Sequence, residues 1–291
     1  MKSLKCKKRE TLNSLKIISL LISLSTISLN AQSINEFTLA VSGPMAILKY
    51  DNINHKTALN DGIGLELAYG RYLSDHWSLR SGAALQTYRG NAGLDIIEGA
   101  YATQDSEAIS FEFRYQFDNY REEQRAKYIQ IPLLLQYEGN GFSRFFATVG
   151  VRLGFLTDSN YKTEAEELNT AGYYEQYDVL LQAPEFAGFG DFGKYAWESN
   201  DLGLQTNMIL SLETGMKFLI SEASSFYVSA YIDYGLTNLR YENYANKRLL
   251  DYIADEKVSL IANSILTSPI RSIDAIKTLS FGFKLKYGFG F

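Results

Sequence analysis

Cysteine is almost missing. The 291 residues hold one, Cys6, which precedes the apolar run that starts near Leu15. The rest of the chain therefore has no disulfide framework, thiol nucleophile or cysteine-ligated metal. Histidine is scarce too, with only His55 and His76. The strand pattern puts them in a long loop and a short turn, on opposite sides of the sheet. A Ser–His–Asp arrangement needs three groups within hydrogen-bond reach. Only His55 lies on the side of Ser106, Ser110 and Ser159, and nothing marks those serines. The acidic loops offer carboxylates, but not at EF-hand spacing. The expectation is no enzyme, no cofactor and no metal. Basic residues do not dominate either: the formal net charge is −5 and no basic patch stands out, which argues against a nucleic-acid partner. The four prolines leave room for long strands.

What is present is alternation. In residues 279–291, Leu279, Phe281, Phe283, Leu285, Tyr287, Phe289 and Phe291 interleave with Ser280, Gly282, Lys284, Lys286, Gly288 and Gly290. A period of two means a strand, and apolar-outward with polar-inward suits a strand facing lipid. Seven more such segments follow the same rule: 36–48, 62–73, 77–89, 127–138, 143–156, 206–219 and 226–236. Short turns come after the second, fourth and sixth, and long connections after the others. With both termini periplasmic, every long connection is extracellular. The expected fold is all-β: an eight-stranded antiparallel transmembrane β-barrel with long extracellular loops, one containing a helix. A soluble ligand-holding barrel would invert the pattern, with apolar residues inside. Mean hydropathy is slightly negative, which a barrel tolerates because only alternate strand residues meet lipid.

Residues 1–32 read as a signal peptide: a basic start (Lys2, Lys5, Lys7, Lys8, Arg9), a serine-rich apolar core over 15–29 and a processing site near Ala31/Gln32. Residues 33–291 are then the outer-membrane barrel domain. The closing strand with its terminal Phe291 resembles bacterial outer-membrane barrels, whose assembly machinery reads such an ending. The stretch FRYQFDNYREEQRAKYIQIPLLLQY over 113–137 resembles the PorT-like barrel family of Bacteroidetes, whose membrane domains are similar to small OmpA- and OmpX-type barrels. That resemblance implies an outer-membrane location and, for at least one member, a part in protein secretion.

Three groups of residues are candidates for function. Glu66, Arg80, Arg152, Glu213, Lys217, Asp233, Lys284 and Lys286 fall on the inward face. They read either as ion pairs filling a narrow lumen or as the lining of an ion path. The acidic connection 157–205 carries Tyr173, Tyr174, Tyr177, Phe189, Phe192 and Trp197, rigid contact area of the kind used in recognition. Residues 248–266 place apolar side chains at three-to-four spacing and read as an amphipathic helix, folded as a lid or docking a partner. The expected partners are outer-membrane lipid and lipopolysaccharide, the barrel-assembly machinery, and an extracellular protein or glycan. The alternative is a secretion component or a narrow pore.

Overall fold

The computed structural model describes residues 35–50, 62–240, 248–255, 258–268 and 275–291. The expected signal peptide and His55 lie outside the described residues. In chain order the strands are β1 (Asn35–Tyr50), β2 (Gly64–Tyr72), β3 (Trp77–Gln104), β4 (Ser110–Glu138), β5 (Ser143–Ala165), β6 (Glu167–Tyr174) and β7 (Val179–Leu181). They continue with β8 (Gly190–Asp191), β9 (Tyr195–Asp201), β10 (Asn207–Leu219), β11 (Ser224–Gly235), β12 (Leu250–Ile253), β13 (Ser259–Ala262) and β14 (Ile276–Gly290).

The antiparallel pairings β1–β2, β2–β3, β3–β4, β4–β5, β5–β10, β10–β11, β11–β14 and β14–β1 return to their starting strand. A sheet that closes on itself leaves no unpaired edge inside hydrocarbon, as a membrane-spanning sheet must. The outward face fits that solvent. Paired strands β3 and β4 show the width of the apolar band: it runs from the pair Trp77–Tyr137 to the pair Leu85–Ile129, nine residues on each strand. Crossing a bilayer takes about 9–11 tilted residues. Beyond that limit the outward residues become Thr87, Arg89, Lys127, Arg125 and Glu123. Leu79, Leu85, Ile129, Ile131 and Leu133 are all exposed in the isolated chain. Keeping each in water rather than burying it costs about 1.5–3 kcal/mol, so this surface belongs in lipid. Trp77, Tyr137, Phe37, Tyr69, Phe289 and Phe291 ring the end that carries the termini and the short turns, where interfacial aromatics belong.

The 28-residue β3 and 29-residue β4 continue past the band for 19 residues each, 86–104 and 110–128, or roughly 60 Å of strand. Halfway up, the buried face changes sides. Below, Ala126, Gln124, Glu122 and Tyr120 point inward; above, Phe117, Tyr115, Phe113 and Phe111 do. The switch occurs at Asn119, whose φ of 49° is in the left-handed region that asparagine tolerates better than most residues. Opposite it on β3, Asp95 and Ile96 are two successive outward residues. The upper hairpin recruits β6, and β6 recruits β7 and β8, while β9 pairs with the top of β5.

The described residues of this stretch, 248–255 and 258–266, do not form the expected helix. They form the hairpin β12–β13 and a 3₁₀ turn, Ile265–Thr267. Leu250 and Tyr252 are buried on one strand and Leu260 and Ala262 on the other, a period of two within each four-residue strand. A short two-stranded hairpin is marginal alone. Here it sits inside the upper wall, against Leu94, Ile97, Phe111, Phe113, Phe117, Tyr120 and Leu168.

Candidate functional site in the lumen and upper module

Alternation on eight strands aims polar side chains at one axis, where they meet as two charged clusters. Near the short-turn end, Arg80 reaches Glu36 at 2.5 Å and Glu138 at 3.5 Å. Lys217 reaches the same two carboxylates at 3.2 and 3.1 Å. Tyr227 and Ser225 donate to Glu36 at 2.6 and 2.7 Å, and Tyr72 donates to Glu138 at 2.5 Å. The second cluster is midway along the barrel. Arg152 pairs with Glu66 at 2.6 Å and Asp233 at 3.5 Å. Lys284 contacts Glu213 at 3.1 Å and Glu66 at 3.7 Å, and Lys286 contacts Glu213 at 2.5 Å. Between the clusters lie Phe146 and Tyr227, which Lys286 approaches to 5.0 and 5.6 Å of their ring centres.

Charges of both signs interleave in each cluster. The first holds two carboxylates, Glu36 and Glu138, against Arg80 and Lys217, with Arg144 at the half-exposed rim 3.8 Å from Glu138. The second holds three of each, Glu66, Glu213 and Asp233 against Arg152, Lys284 and Lys286. Taking an ion out of water costs several kcal/mol unless a counter-ion and hydrogen bonds compensate, and here every member has both or one of them within reach. All the expected inward residues are thus brought together. Glu36 and Glu138 complete the first cluster and were missed in the sequence. Strand parity held the signal, since Glu36 alternates with outward Phe37 and Glu138 with outward Tyr137.

Above the charges comes an uncharged belt. Gln130 donates to Tyr88 at 2.9 Å, Asn207 to Thr278 at 2.7 Å, and Tyr128 to the Gln205 carbonyl at 3.0 Å. Above the belt the β12–β13 hairpin fills the mouth. Its backbone groups are matched by the wall: Tyr101 donates to the Leu250 carbonyl (3.1 Å) and accepts from the Tyr252 amide (2.7 Å). Tyr161 donates to the Ala262 carbonyl at 3.1 Å, and the Trp197 indole to the Leu260 carbonyl at 2.9 Å. Beneath the hairpin is one buried carboxylate, Glu122. It accepts from Ser264 Oγ at 2.5 Å, the Ile265 amide at 2.7 Å and Gln124 Nε2 at 2.6 Å. No lysine or arginine pairs with it among the described residues, and burial pushes it up to about 7. Glu122 was also absent from the sequence candidates. Its inward parity depends on where the alternation switches, which the sequence alone did not show.

The six loop aromatics separate into three kinds. Phe189 and Tyr174 are buried in the upper core, so they supply packing rather than contact surface. Phe189 packs edge-on against Phe111 and stacks on Tyr252, and Tyr174 stacks on Phe111. Trp197 and Phe192 are half-buried against the same core. Tyr173 is half-buried, and Tyr177 is 63% exposed, joined by Phe186 at 84%. His76 caps the short-turn end, with Nδ1 2.8 Å from the Glu138 carbonyl oxygen. Phe291 is exposed and stacks on Phe37 with ring centres 5.4 Å apart.

Residues 31–241 match the family described as outer membrane protein beta-barrel domain. No curated protein is similar enough to match the chain. Three solved structures show loose likenesses. Ail, the attachment invasion locus protein of Yersinia pestis, in complex with the heparin analogue sucrose octasulfate, is 10% identical over 90% of this chain and 100% of its own, with a TM-score of 0.31. Neisserial surface protein A is 10% identical over 89% and 97%, with a TM-score of 0.34. OprG of Pseudomonas aeruginosa is 12% identical over 89% and 95%, with a TM-score of 0.33. The domain match, spanning well over half of the chain, carries the assignment. It agrees with a closed antiparallel sheet that has an apolar belt, short turns at one end and long excursions at the other. The chain belongs to the outer membrane protein beta-barrel domain family and is a protein of the outer membrane.

Proposed function

We propose that this barrel is a non-enzymatic surface-recognition protein that meets an extracellular protein or glycan through the module built on β3, β4 and β6–β9. The observation that carries this reading is the filling of the barrel axis. Two ion-pair clusters and an uncharged belt occupy the lumen, and a docked hairpin occupies the mouth. The long-loop end, extracellular by the family's topology rule, meanwhile rises roughly 60 Å in strand length beyond the belt. A protein whose main task was conduction would gain nothing from such a core. The exposed tip joins aromatic side chains, Tyr177 and Phe186, with Glu175, Asp178 and Glu185, so a neutral or basic partner fits better than a polyanion. A secretion component or narrow pore, the alternative expected from the sequence, has no separate observation in its favour.

The test is photo-crosslinking on intact cells, with a crosslinkable residue at position 177 or 186 and, as a control, at lipid-facing position 212. Recovery of an externally added protein or glycan from the first two positions alone is the expected result. Adducts only with secretion-machinery proteins would overturn the reading.

A further inference from the structure

The outer face of the upper sheet carries an ordered array that the lumen and loop tip leave unused. Register fixes its rows. Glu112 on β4 lies beside Ala102 on β3 and Tyr173 on β6, with Leu180 on β7 next to Tyr173. Arg114 lies between Ala100 and Ala171. Gln116 lies between Glu98 and Asn169, and Asn169 beside Asp191 on β8. Ala100 and Ala171, on either side of Arg114 in the middle row, leave space between the longer residues of the flanking rows, a groove of about 850 Å³, within the range of about 300–1,000 Å³ typical of small-ligand sites.

The groove is pre-organised. Glu112 holds Arg114 at 2.6 Å, and the guanidinium lies 4.9 Å from the centre of the Tyr173 ring. Tyr173 is itself fixed by its hydroxyl, which donates to Asp178 at 2.8 Å. Asn169 Nδ2 donates to Glu167 at 2.9 Å, and Asp191 accepts from the Gly193 amide at 3.0 Å. From the inner face Thr170 braces the neighbouring turn, donating to the Gly188 carbonyl at 2.7 Å and accepting from the Gly190 amide at 3.2 Å. Gly99 leaves room for the Tyr115 ring beneath the groove, where a Cβ would overlap it. Side chains already fixed lose little further freedom on binding.

We infer that this groove binds a neutral oligosaccharide, a proposal that rests on the surface-recognition reading. The lining is rich in acceptors: the carboxylates of Glu98 and Asp191 and the amide oxygens of Gln116 and Asn169, against a single cation, Arg114, among the lining residues. A polyol brings the hydroxyl donors that such a surface needs, and its carbon faces rest on Ala100, Ala171 and Leu180. Sulfated or uronic sugars would bring anions to a net-negative groove. The floor strands β4 and β6 have ladder partners on both sides, so the floor of the groove offers side chains rather than backbone groups.

The test uses the full chain in lipid nanodiscs, titrated by saturation-transfer NMR and calorimetry. The probes are chitotriose and maltotriose, with a heparin tetrasaccharide and a basic decapeptide in parallel. Saturable binding of a neutral trisaccharide is expected, with affinity falling at least tenfold in Gln116→Ala and Asn169→Ala and lost in Ala171→Trp. Heat-modified gel mobility reports that each variant keeps its barrel. Failure of both trisaccharides to bind, binding of the heparin fragment or peptide alone, or trisaccharide binding unchanged in the three variants would overturn the proposal. Where the trisaccharides fail to bind but crosslinking at positions 177 and 186 captures a partner, the groove proposal falls while the recognition reading stands.

Discussion

At the scale of single residues, the lumen is governed by the cost of leaving a charge unmatched. Arg152 is only 2% exposed and faces both Glu66 and Asp233. Arg152→Met should destabilise the barrel by about 3–5 kcal/mol, read from urea unfolding in lipid vesicles. The double variant Arg152→Met, Glu66→Gln should recover part of that loss, because it removes a carboxylate along with its cation. Glu122 obeys a different logic, with three donors but no counter-ion. Its folded value near 7 lies above the ordinary carboxyl value of 4.5. Its protonated form therefore favours the docked hairpin: the contribution is complete below about pH 4.5 and lost as pH rises through 7. The full span corresponds to about 3 kcal/mol. Tyr50, Tyr120 and Tyr161 surround this carboxylate and stay neutral over the same interval. Protection factors for the Leu260 and Ala262 amides should fall between pH 5 and 8 in the wild type and stay level in Glu122→Gln. A wild-type profile as flat as the variant's would show that Glu122 does not titrate there.

Among the elements, the upper module departs most from what the chain alone discloses. Leu249, Leu250, Ile253, Val258, Ile261 and Ile265 satisfy a helical spacing, yet two four-residue strands put Leu250, Tyr252, Leu260 and Ala262 inward just as well. The deciding partners are Tyr101, Tyr161 and Trp197, which are remote in sequence and offer side-chain groups to a sheet edge that a helix would not present. Removing one of those bonds in Trp197→Phe should cost about 1 kcal/mol, seen as lower protection of the hairpin with the barrel unchanged. Burial of Phe189 and Tyr174 was hidden for the same reason, since the rings covering them come from β4 and β12. By contrast, the membrane strands were readable, because each carries its own alternation and needs no distant partner to reveal its faces. The switch at Asn119 sits between these cases. Asn119→Gly should leave stability nearly unchanged, whereas Asn119→Val should cost about 1–2 kcal/mol, measured by thermal unfolding of the purified protein.

The whole molecule is an outer-membrane barrel whose axis is filled and whose distinctive mass lies outside the membrane. The position of the belt followed from parity, and the lumen charges followed from the same parity once both ends of each strand were included. How the long connections fold onto one another did not follow, because their contacts join residues a hundred or more positions apart, as in Tyr161 with Ala262 and Tyr120 with Asn263. A lumen filled in this way should not conduct, and planar-bilayer recording of the purified full chain tests that expectation most directly. No stepwise currents are expected in the wild type across the physiological voltage range. Regular unit steps whose ion selectivity shifts in Glu213→Gln would contradict it, because they would mean that the ion pairs line an open path rather than fill a closed one.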